Sequence, residues 1–487
     1  MIKKLTDILS SIDVKQIFGT LDQNVHNVSF DSRTAKTGDL FVAVKGTRTD
    51  GHHFIPDVVS GGITAVICEH LPEKRTENVT YILVKNSAEA LAKASCAFFG
   101  HPSGKLKVIG ITGTNGKTST VFFLYHLFRA LGYKAGLLST IKNLIDGQEI
   151  PSTHTTGDAM QINQNLRAMV DRGCDYCFME MSSHAIDQDR IAGLNIHGAV
   201  FTNITHDHLD YHLTFENYIK AKKKLFDQLT PASFALVNAD DRNGMVMLQN
   251  TSARKFTYAL KSPSDYKGKI IENRFEGLQL RIDNRELWCR LVGSFNAYNL
   301  MAVYAVARIE GFQPDEILPE LSRLTPVEGR FQVIGSKAGI TAIVDYAHTP
   351  DALQNVLQTI NEVRPHNEHL ITIIGAGGDR DKLKRPILAK VACQLSDRVF
   401  LTSDNPRSEN PDTIIDDMEA GLDGALKRKA IRITDRREAI KTAIMISLKG
   451  DIILVAGKGH ETYQEIKGVK FHFDDREILQ EYLNNEK

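Results

Sequence analysis

The chain has little cysteine and little tryptophan, six and one in 487 residues, and it has no net charge. Six cysteines over that length do not make the dense disulfide framework that staples small secreted domains. Lys plus Arg and Asp plus Glu both number 59, a formal balance of zero with histidine neutral. That balance leaves no positive footprint for non-specific nucleic-acid binding, while a local basic pocket for a small anion stays open. No run approaches the roughly 18 apolar residues of a membrane span. The opening stretch carries Lys3 and Lys4 but then Asp7, so no signal-peptide apolar region is expected. Internal repeats and low-complexity tracts are also missing. What remains is ordinary globular composition, 42% hydrophobic and 24% charged. At about 150 residues per domain the length points to roughly three domains. The expectation is a multidomain, soluble, cytoplasmic protein.

From Val28 to about Leu91 short apolar runs alternate with turns, including Leu40–Val44, Ala65–Cys68 and Tyr81–Val84, each read as a strand. His101-Pro-Ser-Gly-Lys105 reads as a linker, because Pro, Ser and Gly end the preceding helical pattern. The pattern then changes to strand, loop, helix. Lys107–Thr112 is a strand, followed by a glycine-rich turn and an amphipathic helix from about Thr118 to Ala130. Buried strands at Tyr176–Glu180, Ala199–Thr202 and Phe234–Val237 predict a largely parallel sheet covered on both faces. A third block begins near Gly335. Strands at Thr341–Asp345, Leu370–Ile374, Arg398–Leu401 and Asp451–Val455 alternate there with helices, which predicts a second doubly wound α/β domain.

The strongest local signal is Gly110-Ile-Thr-Gly113-Thr-Asn-Gly116-Lys117-Thr118-Ser119, placed between a strand and a helix. Backbone N–H groups and a helix N-terminus can cradle phosphates, Lys117 can reach the outer phosphate oxygens, and Thr118 can hold Mg²⁺. Ile111 stands where the strict pattern has glycine, so Gly113 supplies the tight turn in a variant loop. Binding of a nucleoside triphosphate is expected. Glu180 ends a buried strand and precedes Ser182, Ser183 and His184, facing the ligand crevice of a parallel sheet. Its bland alternative is a capping or surface carboxylate.

Asn203-Ile-Thr-His206-Asp207-His208-Leu-Asp210-Tyr-His212 follows the next strand. It can ligate a divalent metal through imidazole and carboxylate, or simply form a solvated polar turn; its spacing is not a closed zinc pattern. Cys174-Asp-Tyr-Cys177 lacks a second such pair and lies in a strand run, where cysteine packs as a small hydrophobe. Lys222-Lys-Lys224 reads as a solvated basic helix face. Three later strand ends carry Gly375-Ala-Gly-Gly-Asp-Arg-Asp381, Asp404-Asn-Pro-Arg-Ser-Glu409 and Gly457-Lys-Gly-His-Glu461. Arg407 offers a fork for a carboxylate, while Asn405 and Glu409 can read an amine. That mix suits a zwitterionic small molecule.

Taken in order, Gly113-Thr-Asn-Gly-Lys-Thr118, Glu180-Met-Ser-Ser-His184, Asp207-His-Leu-Asp210, Asp345-Tyr-Ala-His-Thr-Pro350 and Asp404-Asn-Pro-Arg407 resemble the Mur ligase family. The resemblance runs from Asp31-Ser-Arg33 to Glu461. It implies an α/β protein of three domains: residues 1–103 binding a UDP moiety, residues 104–334 with a central phosphate-loop ATPase-type parallel sheet, and a Rossmann-like amino-acid-binding domain at 335–487. It implies that Ser32, Thr155, Thr156, Ser182, Gln188 and Arg190 hold a UDP-muramyl dipeptide. Gly113, Thr114, Asn115, Gly116, Lys117, Thr118, Ser119, Asn296, Arg330, Asp345 and His348 match ATP contacts, with Asp345 on the ribose. Thr118, Glu180 and His208 match Mg²⁺ positions. Lys222 matches a carbamylated lysine (N6-carboxylysine), which reverses the bland reading for that residue alone. Arg380, Asp404, Asn405, Pro406, Arg407, Gly457 and Glu461 match the amino-acid pocket, and an arginine in Asp-Asn-Pro-Arg is typical of members that add meso-diaminopimelate. Ala376, Leu383 and Gln332 depart from residues common in the family.

The activity implied is an ATP-dependent amide ligation in peptidoglycan synthesis, by a monomeric enzyme without nucleic-acid or membrane partners. Lys117, Lys222 and His208 are its expected catalytic groups. Three alternatives compete. An L-lysine-adding relative would leave the Arg407 guanidinium without a distal carboxylate. A folylpolyglutamate-type ligase would need no Asp-Ser-Arg segment near the N-terminus. A phosphate-loop NTPase switch would leave the third block without a role.

Overall fold

Alternation of apolar side chains decides where each strand lies, and the computed structural model describes residues 2–46, 49–150, 155–336, 338–364 and 367–485. The chain divides into two compact units. One takes residues up to Gly113, Thr120–Asn203 and Glu216–Thr257; the other takes Thr114–Ser119, Ile204–Phe215 and residues from Tyr258 onward.

The first unit holds two main sheets and a short antiparallel pair, Lys3–Lys4 with Asn24–Val25. Strands β1 (Val14–Phe18), β2 (Asn27–Ser29), β3 (Asp39–Val42), β4 (Ala65–Cys68) and β5 (Thr80–Val84) form a five-stranded sheet in the order β1-β5-β4-β3-β2, parallel except for β1. Helix α1 (Ser87–Phe98) is capped by Asn86, whose side chain accepts from the Ala88 and Glu89 amides. Its Ala90, Leu91, Ala94 and Phe98 pack on Leu40, Val42, Ile67 and Ile82.

The other sheet is built on β6 (Lys107–Thr112), β7 (Ala135–Leu138), β8 (Tyr176–Glu180), β9 (Ile196–Phe201) and β10 (Phe234–Asn238), in the order β7-β8-β6-β9-β10; these five are parallel, and the antiparallel strands Asn143–Ile145 and Gln148–Ile150 extend it beyond β7. Helices α2 (Lys117–Ala130), α3 (Ala159–Asp171) and α4 (Phe215–Asp227) alternate with them. The segment expected to be a linker is instead packed. Pro102–Lys105 forms a 3₁₀ turn with Pro102 and Ser103 buried, and the Asn195 amide donates to Ser103 Oγ at 3.0 Å. Turn residues there carry specific contacts, so their composition misled.

In the second unit β11 (Tyr266–Arg274), β12 (Gly277–Ile282) and β13 (Arg285–Cys289) make an antiparallel meander, followed by the buried helix α5 (Ser294–Ile309). A six-stranded sheet uses β14 (Gln332–Gly335), β15 (Thr341–Asp345), β16 (Leu370–Ile374), β17 (Arg398–Leu401), β18 (Ala430–Arg432) and β19 (Ile452–Ala456), in the order β14-β15-β19-β16-β17-β18. Only β14 runs antiparallel. Along β19, Ile452, Leu454 and Ala456 join one core and Ile453 and Val455 the opposite one. Burial on both faces makes the strand continuously apolar.

Helices α6 (Pro350–Val363) and α7 (Lys384–Leu395) cover the first face; α8 (Arg436–Ile446) and α9 (Asp475–Asn485) cover the second. Arg436 and Asp475, both without exposure, pair at 2.7 Å between α8 and α9. A hairpin of β20 (Tyr463–Ile466) and β21 (Val469–His472) follows β19. No helix among the described residues is long and apolar enough to cross a membrane.

Candidate active site

Parallel strands present all their carboxyl ends on one edge, so the loops leaving them gather there. In the first unit Gly113 ends β6 with φ +155°, and a Cβ at that position would stand 1.9 Å from Thr202 Oγ1. Only glycine lets the phosphate-loop backbone pass so close to the end of β9. The buried Lys222 on α4 donates from Nζ to the Gly113 carbonyl at 2.8 Å and lies 4.6 Å from the Tyr218 ring centroid. Lys223, expected on a solvated face, is buried and paired with Asp227, and Lys224 pairs with Asp189. The run was misread because α4 turns most of it toward protein.

Glu180 is fully buried at the end of β8, and its carboxylate accepts from the Thr140 amide at 2.8 Å and the Thr140 hydroxyl at 3.2 Å. Thr156 Oγ1 donates to the Glu180 carbonyl at 2.8 Å and accepts from the Ser182 amide at 3.1 Å. Arg190 donates from Nη1 to the Thr156 carbonyl at 3.0 Å and grips Gln188 Oε1 through Nε and Nη2. Thr156, Glu180, Ser182, Gln188 and Arg190 therefore form one cluster. Thr155 precedes it in the chain. Ser32 is not among these contacts; it sits, half-buried, in the turn after β2 where Arg33 and Asp31 pair with each other.

In the second unit Lys117 Nζ donates to the Thr114 carbonyl at 2.8 Å, folding the lysine back over its own loop. Thr114, Thr118 and Ser119 are buried. Asn115 Nδ2 and Thr205 Oγ1 both donate to Asp351 Oδ2, at 3.0 and 2.8 Å. Sequence reasoning missed Asp351, because an acidic residue in the first turn of α6 already has a role at the helix dipole. Arg330 Nη2 donates to Thr118 Oγ1 at 3.3 Å, and its guanidinium lies 4.6 Å from the Tyr346 ring centroid. Asp345 is buried and accepts from the Phe331 and Ala347 amides, both at 2.7 Å. Burial pushes its carboxyl up, against the pull of Arg330. Asn296 is buried and donates to the Val292 carbonyl, while His348 is exposed. Gln332, one of the departures, accepts from the Gly329 amide at 3.0 Å; Leu383 is exposed.

The polar run after β9 does not gather as one metal site. His206 stacks on Phe215, His212 is buried, and Asp207 bonds to Lys384 Nζ at 2.8 Å. Among the described residues no three His, Cys, Asp or Glu side chains group to hold an ion. Burial acts to raise the Asp207 carboxyl, yet the charges of His208 and Lys384 hold it far below the carboxylate range. His208 itself takes a left-handed backbone, φ +55°, with its side chain partly exposed. Lys384 was also missed, since nothing in a helix-start lysine signals a distant aspartate.

The loops after β16, β17 and β19 interlock. A Cβ on Gly378 would stand 1.9 Å from the Pro406 carbonyl oxygen, and the Gly378 amide donates to the Asn405 carbonyl at 2.9 Å. Arg407, at φ +50°, donates from Nη1 to the Gly378 carbonyl at 2.7 Å and places Nε 3.6 Å from Glu465. A ligand without a distal carboxylate therefore does not strand this guanidinium outright, which corrects the sharper expectation. Asn405 Nδ2 donates to Glu461 Oε2 at 2.8 Å, with Asp404 and Gly457 beside them. Arg380 stands exposed on the neighbouring loop.

Glu409 is not available to read an amine. Both of its oxygens are taken by the buried Arg385, at 2.7 and 2.9 Å, and Oε1 also accepts from the Asp379 amide. Those bonds hold the Glu409 carboxyl down at about 2. Cys174 and Cys177 are buried free thiols, as packing residues should be.

The chain is similar over nearly its whole length to known proteins. The Mur ligase middle domain matches residues 111–307, the Mur ligase glutamate ligase domain residues 329–459, and the Mur ligase family catalytic domain residues 24–99. UDP-N-acetylmuramoyl-L-alanyl-D-glutamate–2,6-diaminopimelate ligases of Bacteroides fragilis and Cytophaga hutchinsonii are 54% and 53% identical, each over 99% of both chains. That of Clostridium tetani is 39% identical, again over 99% of both. A solved structure of a ligase of that name superposes with TM-score 0.68 at 31% identity, covering 99% of each chain. The Mycobacterium tuberculosis folylpolyglutamate synthase shares the fold at TM-score 0.60 and 18% identity, over 75% of this chain and 91% of that one.

Proposed function

This chain belongs to the Mur ligase family, and from that premise we propose that it joins meso-2,6-diaminopimelate to UDP-N-acetylmuramoyl-L-alanyl-D-glutamate with cleavage of ATP to ADP and phosphate. The observation that carries the reading is Arg407, held by Gly378 and Glu465 among the strand-end loops that also carry Asn405 and Glu461. A guanidinium fork beside an amide and a carboxylate suits an acceptor with a second ammonium and a second carboxylate. Relatives of that name at 52–54% identity across the chain support it.

A carboxylate is a poor electrophile, so the dipeptide's D-Glu side carboxylate attacks the γ-phosphorus of ATP, giving an acyl phosphate and ADP. The diaminopimelate amine then adds to the acyl carbon. The tetrahedral intermediate loses phosphate and a proton to leave the amide. In the first step two anions approach, and Lys117 supplies positive charge at the phosphates. Residues 113–119 cradle the nucleotide, with Asn296, Arg330, Asp345 and His348 as its further contacts. The cluster of Thr156, Ser182, Gln188 and Arg190, with Thr155 and Ser32, is assigned to the UDP-muramyl dipeptide. Residues 1–103, 104–334 and 335–487 take the UDP, ATP and amino-acid roles in turn.

The donors suit a hard divalent cation. Glu180 is a buried carboxylate, an oxygen donor of the kind a hard cation prefers, whose only hydrogen-bond donors among the described residues come from Thr140. By the family resemblance Glu180 in the first unit, and Thr118 and His208 in the second, are each assigned to Mg²⁺, which when bound would neutralise phosphate charge. Lys222, buried against Gly113, is the residue assigned to carbamylation. With a UDP-linked substrate, the cytoplasm is the proposed place of the reaction. The test is phosphate release from ATP with the UDP-dipeptide and either meso-diaminopimelate or L-lysine. Turnover with diaminopimelate alone is expected. Turnover with lysine alone would move the chain to the lysine-adding members, and release independent of any amino acid would overturn the ligase.

A further inference from the structure

Lys458 follows β19 with its side chain fully buried, a setting a lysine occupies only when its charge is compensated. Its Nζ lies 2.5 Å from the Tyr463 carbonyl oxygen, 3.3 Å from Asn405 Oδ1, 3.3 Å from Glu461 Oε2 and 3.6 Å from Asp404 Oδ1. An ammonium has three N–H donors, so these four acceptors outnumber them. Asp404 Oδ1, which is buried, is the one that takes no hydrogen bond among the described residues. One cation thus joins the loop after β17, the loop after β19 and the start of β20.

The consequence lies in the Asn405 amide. Its Oδ1 faces two donors, Lys458 Nζ and the Glu465 amide at 2.9 Å, and neither group can accept. A flipped amide would set its NH₂ against both. The NH₂ is therefore aimed at Glu461 Oε2, which takes one N–H at 2.8 Å and also faces Lys458. Glu461 Oε1 takes no hydrogen bond from a described residue, and Asn405 keeps a second N–H. A donor and an anionic acceptor side by side match the carboxylate and ammonium of an amino-acid group.

We infer that Lys458 is the positioning residue of this pocket, locking the Asn405 amide and the Glu461 carboxylate in the orientation that receives the zwitterionic end of the amino-acid substrate. This deepens the function proposed above and rests on it. Lys458 touches no reacting atom; it acts through Asn405 and Glu461.

The test is steady-state kinetics with ATP, the UDP-dipeptide and diaminopimelate varied in turn, on the parent chain and on Lys458→Met and Lys458→Arg, with a melting curve for each. For Lys458→Met the KM for diaminopimelate should rise about tenfold or more, while the KM for ATP stays within about twofold. Lys458→Arg, which keeps a donor and a charge, should recover part of the loss. An unchanged diaminopimelate KM in folded Lys458→Met overturns the inference. So does an equal loss for all three substrates, the mark of a merely structural role. If Lys458→Met does not fold, Lys458→Gln, which still offers Asn405 an N–H, is judged by its ability to hold the diaminopimelate KM below that of Asn405→Ala; failure there also overturns it. A parent chain with no diaminopimelate-dependent turnover would instead sink the underlying function.

Discussion

Replacing Arg385 by methionine removes the clasp that ties the loop after β16 to the loop after β17. Its guanidinium, 1% exposed, bonds Glu409 at 2.7 and 2.9 Å, Asp417 at 2.8 Å and the Gly377 carbonyl at 3.3 Å. Breaking a buried ion pair from one side costs about 3–5 kcal/mol, because the partner is left uncompensated. The lower end applies here, about 3 kcal/mol, since Glu409 and Asp417 are 16% and 37% exposed and water reaches them. For a cooperative unit of roughly 150–250 residues that is a drop of about 6–12 °C in the melting temperature of the transition that includes α7.

Calorimetry of Arg385→Met, Glu409→Gln and the double variant measures it. The double variant should be less destabilised than the sum of the singles by about 1–3 kcal/mol. The acid limb gives a second reading. The Glu409 carboxyl falls from its usual 4.5 to about 2 in the folded chain, mainly through the Arg385 hydrogen bonds. A depressed carboxyl contributes stability above its unfolded value, so that share is whole above about pH 4.5 and is lost as pH falls toward 2. Glu409→Gln should flatten the stability profile in that window and nowhere above it. A single variant within about 0.5 kcal/mol of the parent, or singles that add without coupling, would refute the clasp.

Lys117→Ala should lower turnover by about a hundredfold or more while leaving the melting curve near that of the parent, because the lysine acts on phosphate charge; an active variant would refute that role. Burial, helped by Arg330 and Arg476, lowers the His460 imidazole from 6.5 to about 4. The unfolded chain therefore takes up its proton first, and stability should decline as pH falls from about 6.5 to 4; His460→Gln removes that slope in acid denaturation series. All six cysteines are buried, and burial pushes the Cys68, Cys96, Cys174 and Cys393 thiols up to about 11. A thiol reagent at pH 8 should label the native chain slowly and all six groups after denaturation, and rapid native labelling would contradict their packing role.

Strands buried on both faces were legible because their apolar runs are continuous: β6, β8, β15, β16 and β17 fall where the sequence places them. The β11–β13 meander was not. Tyr-Lys-Gly-Lys-Ile-Ile-Glu-Asn-Arg in β11 is mostly partly or fully exposed and reads as polar chain until its antiparallel partners are known. The phosphate loop was legible because glycines, Lys117 and Thr118 sit between a strand and a helix. Asp351, Lys384 and Arg385 were not, since each begins or lines a helix where a charged residue is unremarkable. Glu409 was misassigned for the complementary reason, as its partner lies 24 residues away and only the fold brings them together. Lys458 shows the same limit: a lysine among glycines suggests solvent, yet the fold surrounds it with oxygen atoms.

The central claim is that cleavage of ATP is converted into one new amide bond to a diamino dicarboxylic acid. Mass spectrometry of the UDP-linked product, run beside phosphate release with UDP-N-acetylmuramoyl-L-alanyl-D-glutamate and meso-diaminopimelate, tests it most directly. One UDP-N-acetylmuramoyl tripeptide is expected for each phosphate released, and neither product when diaminopimelate is withheld. Phosphate released without tripeptide, or at the same rate with no amino acid present, would contradict it.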